Sequence, residues 1–227
     1  MKPKFLLPIL YEDEYLIAIN KPARVATVPG EKISLHESVL GVIQSQCANR
    51  GFTPYVLHRL DKDTSGILLF GKYPKDREQL ESILTNPATH KKYVALVKGM
   101  PQGKVITAPI KARESSEKVF AQTAYKVVAV FRGHVPLCSL VEAEIKTGRK
   151  YQVRVHFAHV GHPVILDPKF GDEQFNRKFR IRFRLGRQFL HSVAISFIHP
   201  FTQKLTKIEA PLPIDLQSVL NKLQFGQ

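Results

Sequence analysis

The chain has 227 residues, 44% of them hydrophobic, enough for one large domain or two closely joined lobes and too apolar for wholesale disorder. Its 34 lysines and arginines outnumber 19 acids, a formal charge of +15, and such a surplus attracts polyanions such as phosphate backbones or anionic lipid. Only Cys47 and Cys138 are present, far apart and without CxxC spacing, which argues against a disulfide framework or zinc knuckle and suits a reducing cytosol.

No apolar run approaches the ~18 residues of a spanning helix. The opening MKPKFLLPILYEDEYL is broken by Pro8 and followed at once by Glu12, Asp13 and Glu14, a poor signal peptide. A cytoplasmic protein with no membrane partner is expected, with nucleic acid as its polyanion. No internal repeat, low-complexity tract or Gly/Ser linker interrupts the text, so residues 1–227 read as a single domain.

In chain order, Tyr15 to Asn20 reads as a strand closed by the Lys21-Pro22 turn. Ser34 and Glu37 have capping-box spacing, which predicts a helix from Ser34 to Gln46 ending before Gly51. Next comes LHRLDKDTSGILLF, Leu57 to Phe70, where a turn at Thr64-Ser65-Gly66 opens into an apolar strand, Ile67 to Phe70. Asp76 to Leu84 is a second helix, stopped near Asn86-Pro87. Tyr93 to Val97, Ala124 to Phe131, Leu137 to Ile145 and Tyr151 to Val155 have β-rich composition or alternation.

The stretch from Arg177 to Arg187 alternates strictly. It predicts a strand with Arg180, Arg182 and Arg184 on one face and Phe179, Ile181, Phe183 and Leu185 on the other. A face made only of arginine points to phosphate contact rather than to an ordinary solvated surface. Phe189 to Ile198 and Leu205 to Ile208 flank a hairpin turn at residues 199–203, and Asp215 to Leu223 closes the chain as a helix. Strands dominate and no regular βαβ alternation is seen. The expected class is α+β, with a mixed, largely antiparallel central sheet and flanking helices.

Asp61 is bracketed by Arg59 and Lys62, cations that favour a charged carboxylate. Such a carboxylate can act as a nucleophile or stabilise positive charge at a sugar carbon; by itself the segment fits a solvated aspartate in a charged loop equally well. Asp63 suits a cap on the following turn. His156, His159 and His162 recur at every third residue. Gly161 and Pro163 argue against one regular helix through all three, and no carboxylate or cysteine completes a set, so no metal is expected.

Three blocks in fixed order, HRLDKDTSG (58–66), KKYVALVKG (91–99) and TGRKYQVRVH (147–156), resemble those of the RluA-type pseudouridine synthases. The likeness runs from Ile9 to Pro211. It implies the pseudouridine synthase fold with a catalytic cleft, and an isomerase that converts uridine in RNA to pseudouridine. On that resemblance Asp61 matches the essential aspartate that acts on the ribose. Arg59 matches the arginine that turns the uridine out of the helix. Tyr93 matches the tyrosine that stacks on the uracil and is implicated in removal of the C5 proton. Arg154 matches the basic partner of the carboxylate. Arg149 and Lys150, in the third block, are expected to hold RNA.

These roles agree with elementary physics. A uridine within A-form RNA hides its glycosidic bond and must be splayed out, at a cost of a few kcal/mol. A planar guanidinium can fill the gap, and an aromatic ring can receive the base. The reaction breaks N1–C1′ and forms C5–C1′, so no oxidant, ATP or methyl donor is required and no cofactor is expected.

Three positions depart from the common family text. Tyr151 replaces a histidine, Phe170 replaces a tyrosine, and Arg24 replaces a glycine after Lys-Pro-Ala, where the turn must avoid positive φ or bear strain. No stretch precedes the catalytic text that could form an S4-type RNA-binding domain, so RNA affinity is expected from the catalytic domain of a monomer. The text FGDEQFNR and HRLDKDTSG is nearest to the branch acting on large-subunit ribosomal RNA; a tRNA or dual rRNA/tRNA substrate stays open. The rival classes are a non-catalytic RNA-binding assembly factor and a hydrolase using Asp61 and Asp63.

Overall fold

The computed structural model describes residues 5–111, 117–132 and 136–225. The first elements are β1 (Ile9–Glu12), β2 (Leu16–Lys21), α1 (Val39–Gln46), β3 (Tyr55–Val56), β4 (Ser65–Gly71) and α2 (Arg77–Thr85). There follow β5 (His90–Lys98), β6 (Val105–Thr107), β7 (Ile110–Lys111), β8 (Lys118–Val119), β9 (Gln122–Phe131) and β10 (Cys138–Ile145). The chain closes with α3 (Gln152–His159), α4 (Glu173–Phe183), β11 (Leu190–Ile198), β12 (Leu205–Glu209) and α5 (Ile214–Phe225). Residues 1–4, which open the stretch read above against a signal peptide, lie outside the described residues. No helix among the described residues is long and apolar enough to cross a membrane.

The elements gather into two compact units, Met1–His90 with Ser192–Pro211 and Lys91–His191 with Leu212–Gln227. In the first, the strand order is β1-β2-β4-β11, with β12 beside β11 and β3 beside β4. Every residue of β4 is buried, as its uninterrupted apolar text requires of a strand covered on both faces. Leu16, Ala18, Ile67 and Leu69 pack with Leu80 and Ile83 of α2 and with Ile195, Phe197 and Ile208. Gly66 has φ 112°, and a Cβ there would meet the Ser192 carbonyl oxygen at 2.1 Å. Glycine alone permits that approach.

The expected helix from Ser34 to Gln46 is divided. Glu37 accepts from both the amide and the hydroxyl of Ser34, but this closes only a single 3₁₀ turn, Leu35–Glu37. Ser38 is extended, at ψ 156°, and its side chain accepts from the Gly41 amide to start α1. Two serine caps in succession make two short helices where capping-box spacing suggested one.

The second unit has the strand order β5-β10-β9-β6 and a separate β7–β8 pair. β10 runs antiparallel to β5 from Cys138↔Lys98 to Ile145↔Lys91, and antiparallel to β9 with an irregularity between Leu140 and Val141. Alternation along β5 divides the core. Ala95 and Val97 pack with Val153 and Phe157 of α3. Leu96 packs with Phe175, Phe179 and Phe183 of α4 and with Leu216, Val219 and Leu220 of α5.

Two expected strands are helices. Tyr151 to Val155 opens α3, because Val153 and Phe157, four apart, are the pair that reaches the core, a helical spacing hidden by the local alternation. Arg177 to Arg187 belongs largely to α4, capped by Asp172 accepting from the Phe175 amide. Its buried stripe is Phe175, Phe179 and Phe183, whose rings touch in sequence, while Ile181 is 73% exposed. Arg180, Arg182 and Arg184 are exposed but share no strand face; residues two apart on a helix point about 200° apart. The buried Arg187 makes a bidentate pair with Asp215 of α5.

Candidate active site

In the first unit, Asp61 lies in the loop that leads into β4. The loop is anchored at Leu57 and Leu60, both buried. The Leu57 amide donates to the Leu69 carbonyl at 3.1 Å, and His58 Nε2 accepts from the Leu69 amide at 3.1 Å. Thr27 clasps Leu60 at both ends, its hydroxyl donating to the carbonyl at 2.7 Å and accepting from the amide at 3.2 Å.

On the other side of Asp61, Lys21 is fully buried. Its ammonium donates to the carbonyls of Pro22 at 2.8 Å, Lys62 at 3.1 Å and Thr64 at 2.8 Å. The Thr64 amide closes the turn on the Asp61 carbonyl at 3.1 Å. The backbone on each side of Asp61 is thus tied down by side chains, while Asp61 itself is half-buried and Arg59 and Lys62 are exposed. Such an arrangement aims a carboxylate without hiding it.

Lys21 and Thr27 were not singled out from the sequence. Lys21-Pro22 read only as a turn, since nothing local shows that the lysine reaches carbonyls 41 and 43 residues away. Arg24, read above as standing in place of a glycine, has φ 67°, so this turn bears the strain rather than avoiding it.

In the second unit, Tyr93 is half-buried on β5 opposite Ala143, against the core that α3 shares. Arg154 of α3 is 5% exposed. Its Nε and Nη2 donate to the two carboxylate oxygens of Asp167 at 2.6 and 2.8 Å, the parallel geometry that guanidinium and carboxylate share. Burial pushes the Asp167 carboxyl up, but hydrogen bonds from Arg154 and the amides of Phe170 and Lys169 outweigh it, and the pKa lies below the ordinary aspartate value. Asp167 was not singled out from the sequence.

The third block folds for a visible reason. Gln152, buried at the start of α3, accepts from the Thr147 hydroxyl and the Arg149 amide and donates to the Gln122 carbonyl at 2.8 Å. This fastens the loop carrying Arg149 and Lys150, both exposed, to β9. Tyr151 precedes the helix at φ 60°, and the Arg154 guanidinium lies 4.6 Å from its ring centre. Phe170 meets Tyr151 edge-on at 5.8 Å and Arg154 at 5.3 Å. Two of the departures from the family text therefore touch each other, around one arginine.

The histidines have separate duties. His156 and His159 lie on α3, and His162 follows Gly161. His156 is buried between the Thr123 hydroxyl at 2.8 Å and the Ala108 carbonyl at 3.0 Å, and burial pushes its pKa down, towards the neutral ring. The His162 ring bonds to the Lys98 carbonyl at 2.8 Å.

The model of the RNA pseudouridylate synthase family matches residues 15–159. A tRNA pseudouridine synthase C from Vibrio cholerae is 34% identical over 97% of this chain and 96% of that protein. A ribosomal large subunit pseudouridine synthase C from Escherichia coli is 35% identical over 95% of this chain and 70% of that protein. The solved structure of human RNA pseudouridylate synthase domain containing 4 shares the fold, with a TM-score of 0.75 over 96% of this chain and 93% of that one at 20% identity. The α+β architecture is accordingly the pseudouridine synthase fold. The chain belongs to the RNA pseudouridylate synthase family, in its RluA-type branch, and is an RNA-modifying isomerase.

Proposed function

We propose that this enzyme converts specific uridines of large-subunit ribosomal RNA to pseudouridine, as a cytoplasmic monomer. The observation that carries the assignment of the reacting group is the loop of Asp61, with its backbone pinned by Thr27 and Lys21 and its side chain half-buried between two exposed cations. In this reading Arg59 displaces the target uridine and fills its place, and Tyr93 receives the uracil ring. Asp61 acts at C1′ of the everted ribose while N1–C1′ breaks. Arg154, its plane fixed by Asp167, supplies positive charge to the carboxylate. Tyr93 serves in removal of the C5 proton after C5–C1′ has formed. The base never leaves the protein, so the products are the rearranged RNA alone.

The reading treats residues 1–227 as one catalytic domain. Exposed Arg149, Lys150, Arg180, Arg182 and Arg184 are assigned to the RNA backbone, consistent with the +15 charge. Several relatives at 32–35% identity are named as ribosomal large subunit enzymes. A tRNA substrate is the second reading, favoured by the Vibrio cholerae tRNA enzyme, which this chain matches over nearly its whole length.

The test uses RNA tritiated at uridine C5, offered as protein-free large-subunit rRNA and as bulk tRNA. The proposal expects stoichiometric tritium release from rRNA with the chain intact. Release confined to tRNA would replace the first reading by the second, and free uracil would replace both by a hydrolase.

A further inference from the structure

Around Tyr151 the structure assembles three cations. The Arg154 guanidinium lies 4.6 Å from the ring centre, the Lys150 ammonium 5.1 Å and the Lys169 ammonium 5.6 Å; Lys169 is also 5.5 Å from the ring of Phe170. Only the first of these charges is answered by an anion, through the two bonds to Asp167. Lys150 and Lys169 are exposed, and neither has an ion pair among the described residues. An aromatic face attracts cations but does not neutralise them, so the two lysines flank one ring with no ion pair of their own among the described residues.

The scaffold imposes this arrangement. Tyr151 is held at φ 60°, where non-glycine residues are uncommon and persist only when their surroundings determine them. Phe170 braces the ring edge-on. The buried Asp167 accepts from the Lys169 amide at 2.8 Å and the Phe170 amide at 3.0 Å. One carboxylate therefore fixes both the arginine plane and the loop that carries the second lysine. A cationic rim about a half-buried aromatic pair matches a strand of RNA, whose backbone supplies the missing anion and whose bases tolerate an aromatic neighbour.

We propose that Lys150, Lys169 and Tyr151 form a phosphodiester-binding subsite for the substrate RNA, placing the backbone beside Arg154 at the nucleotide next to the one rearranged. This rests on the reading of Arg154 as a group that serves the reaction. Its content is a separate binding step, so it is tested on affinity and salt dependence rather than on loss of chemistry.

The experiment measures retention of large-subunit rRNA on filters over a salt series, together with tritium release at saturating RNA. The Lys150→Gln/Lys169→Gln variant is expected to reduce the slope of log K against log salt by about 1.4–1.8, from 0.7–0.9 per lost phosphate contact. Its KM rises roughly tenfold at about 0.15 M salt, while kcat stays within about twofold. Lys150→Arg/Lys169→Arg keeps the slope. Lys204→Gln/Lys207→Gln, which removes the same net charge from exposed positions on the other unit, changes it far less. An unchanged slope in the first variant, an equal loss in the Lys204/Lys207 variant, or a fall in kcat with KM unmoved would overturn the subsite. Failure of the underlying reading shows differently, as no tritium release by the unaltered protein.

Discussion

Lys21 donates from a fully buried position to three backbone carbonyls, and two of them belong to the turn that follows Asp61. Hydrogen bonds from a charged donor are the strong kind, and losing one partner leaves the other unsatisfied. Lys21→Met should cost about 2–4 kcal/mol in a urea titration. If the lysine aims Asp61, kcat falls on the order of 10²-fold with RNA affinity nearly unchanged; full turnover in a folded Lys21→Met protein would show that the turn holds without it.

Asp167 makes a pH-dependent contribution at the same scale. Its carboxyl lies below the ordinary value in the folded chain, so its stabilisation is present above the unfolded pKa near 3.9 and is lost as pH falls through the folded pKa. Asp167→Asn leaves a buried guanidinium without its anion and should cost about 3–5 kcal/mol at neutral pH. The deficit should shrink as wild type and variant are compared at progressively lower pH below about 4. A deficit that stays constant down that series would contradict the assignment.

Among the elements, legibility tracked periodicity. β4, β5 and β10 could be read because uninterrupted or alternating apolar text has few meanings. α3 and α4 were misread because Tyr-Gln-Val-Arg-Val and Phe-Arg-Ile-Arg-Phe alternate over five residues, and the deciding phenylalanines, Phe157 in one case and Phe175 in the other, stand outside those windows. The helical placement of these arginines has a measurable consequence. On a helix Arg180 and Arg182 face opposite flanks, so Arg180→Gln and Arg182→Gln should flatten the salt dependence of RNA binding unequally; equal effects would suit the discarded strand face.

α1 offers a second test. A Cβ on Gly41 would lie 2.0 Å from the Leu35 carbonyl oxygen, backbone that cannot give way cheaply. Gly41→Ala should therefore destabilise by about 1–3 kcal/mol, although alanine is the better helix former by about 1 kcal/mol. A raised melting temperature would show that the 3₁₀ turn before Ser38 is soft. That turn also explains why the capping box was found and the helix boundary was not: Ser34 and Glu37 do bond as their spacing predicts, and Ser38 then restarts the helix.

Across the whole molecule, candidate residues could be named where they sit in short motifs and not where they depend on pairing between distant residues. Asp61, Arg59, Tyr93 and Arg154 stand in three blocks whose text carries the family likeness. Thr27, Lys21, Gln152 and Asp167 act by holding backbone or a guanidinium across long separations, which no local pattern reveals. The net charge of +15 adds an attraction to RNA that does not depend on its sequence.

The most direct measurement is tritium release from C5-labelled large-subunit rRNA by the Asp61→Asn protein, with RNA retention measured in parallel. The expected result is no release above background with retention close to that of the unaltered enzyme. Release at a substantial fraction of the normal rate would contradict the assignment of Asp61 as the group that acts on the ribose.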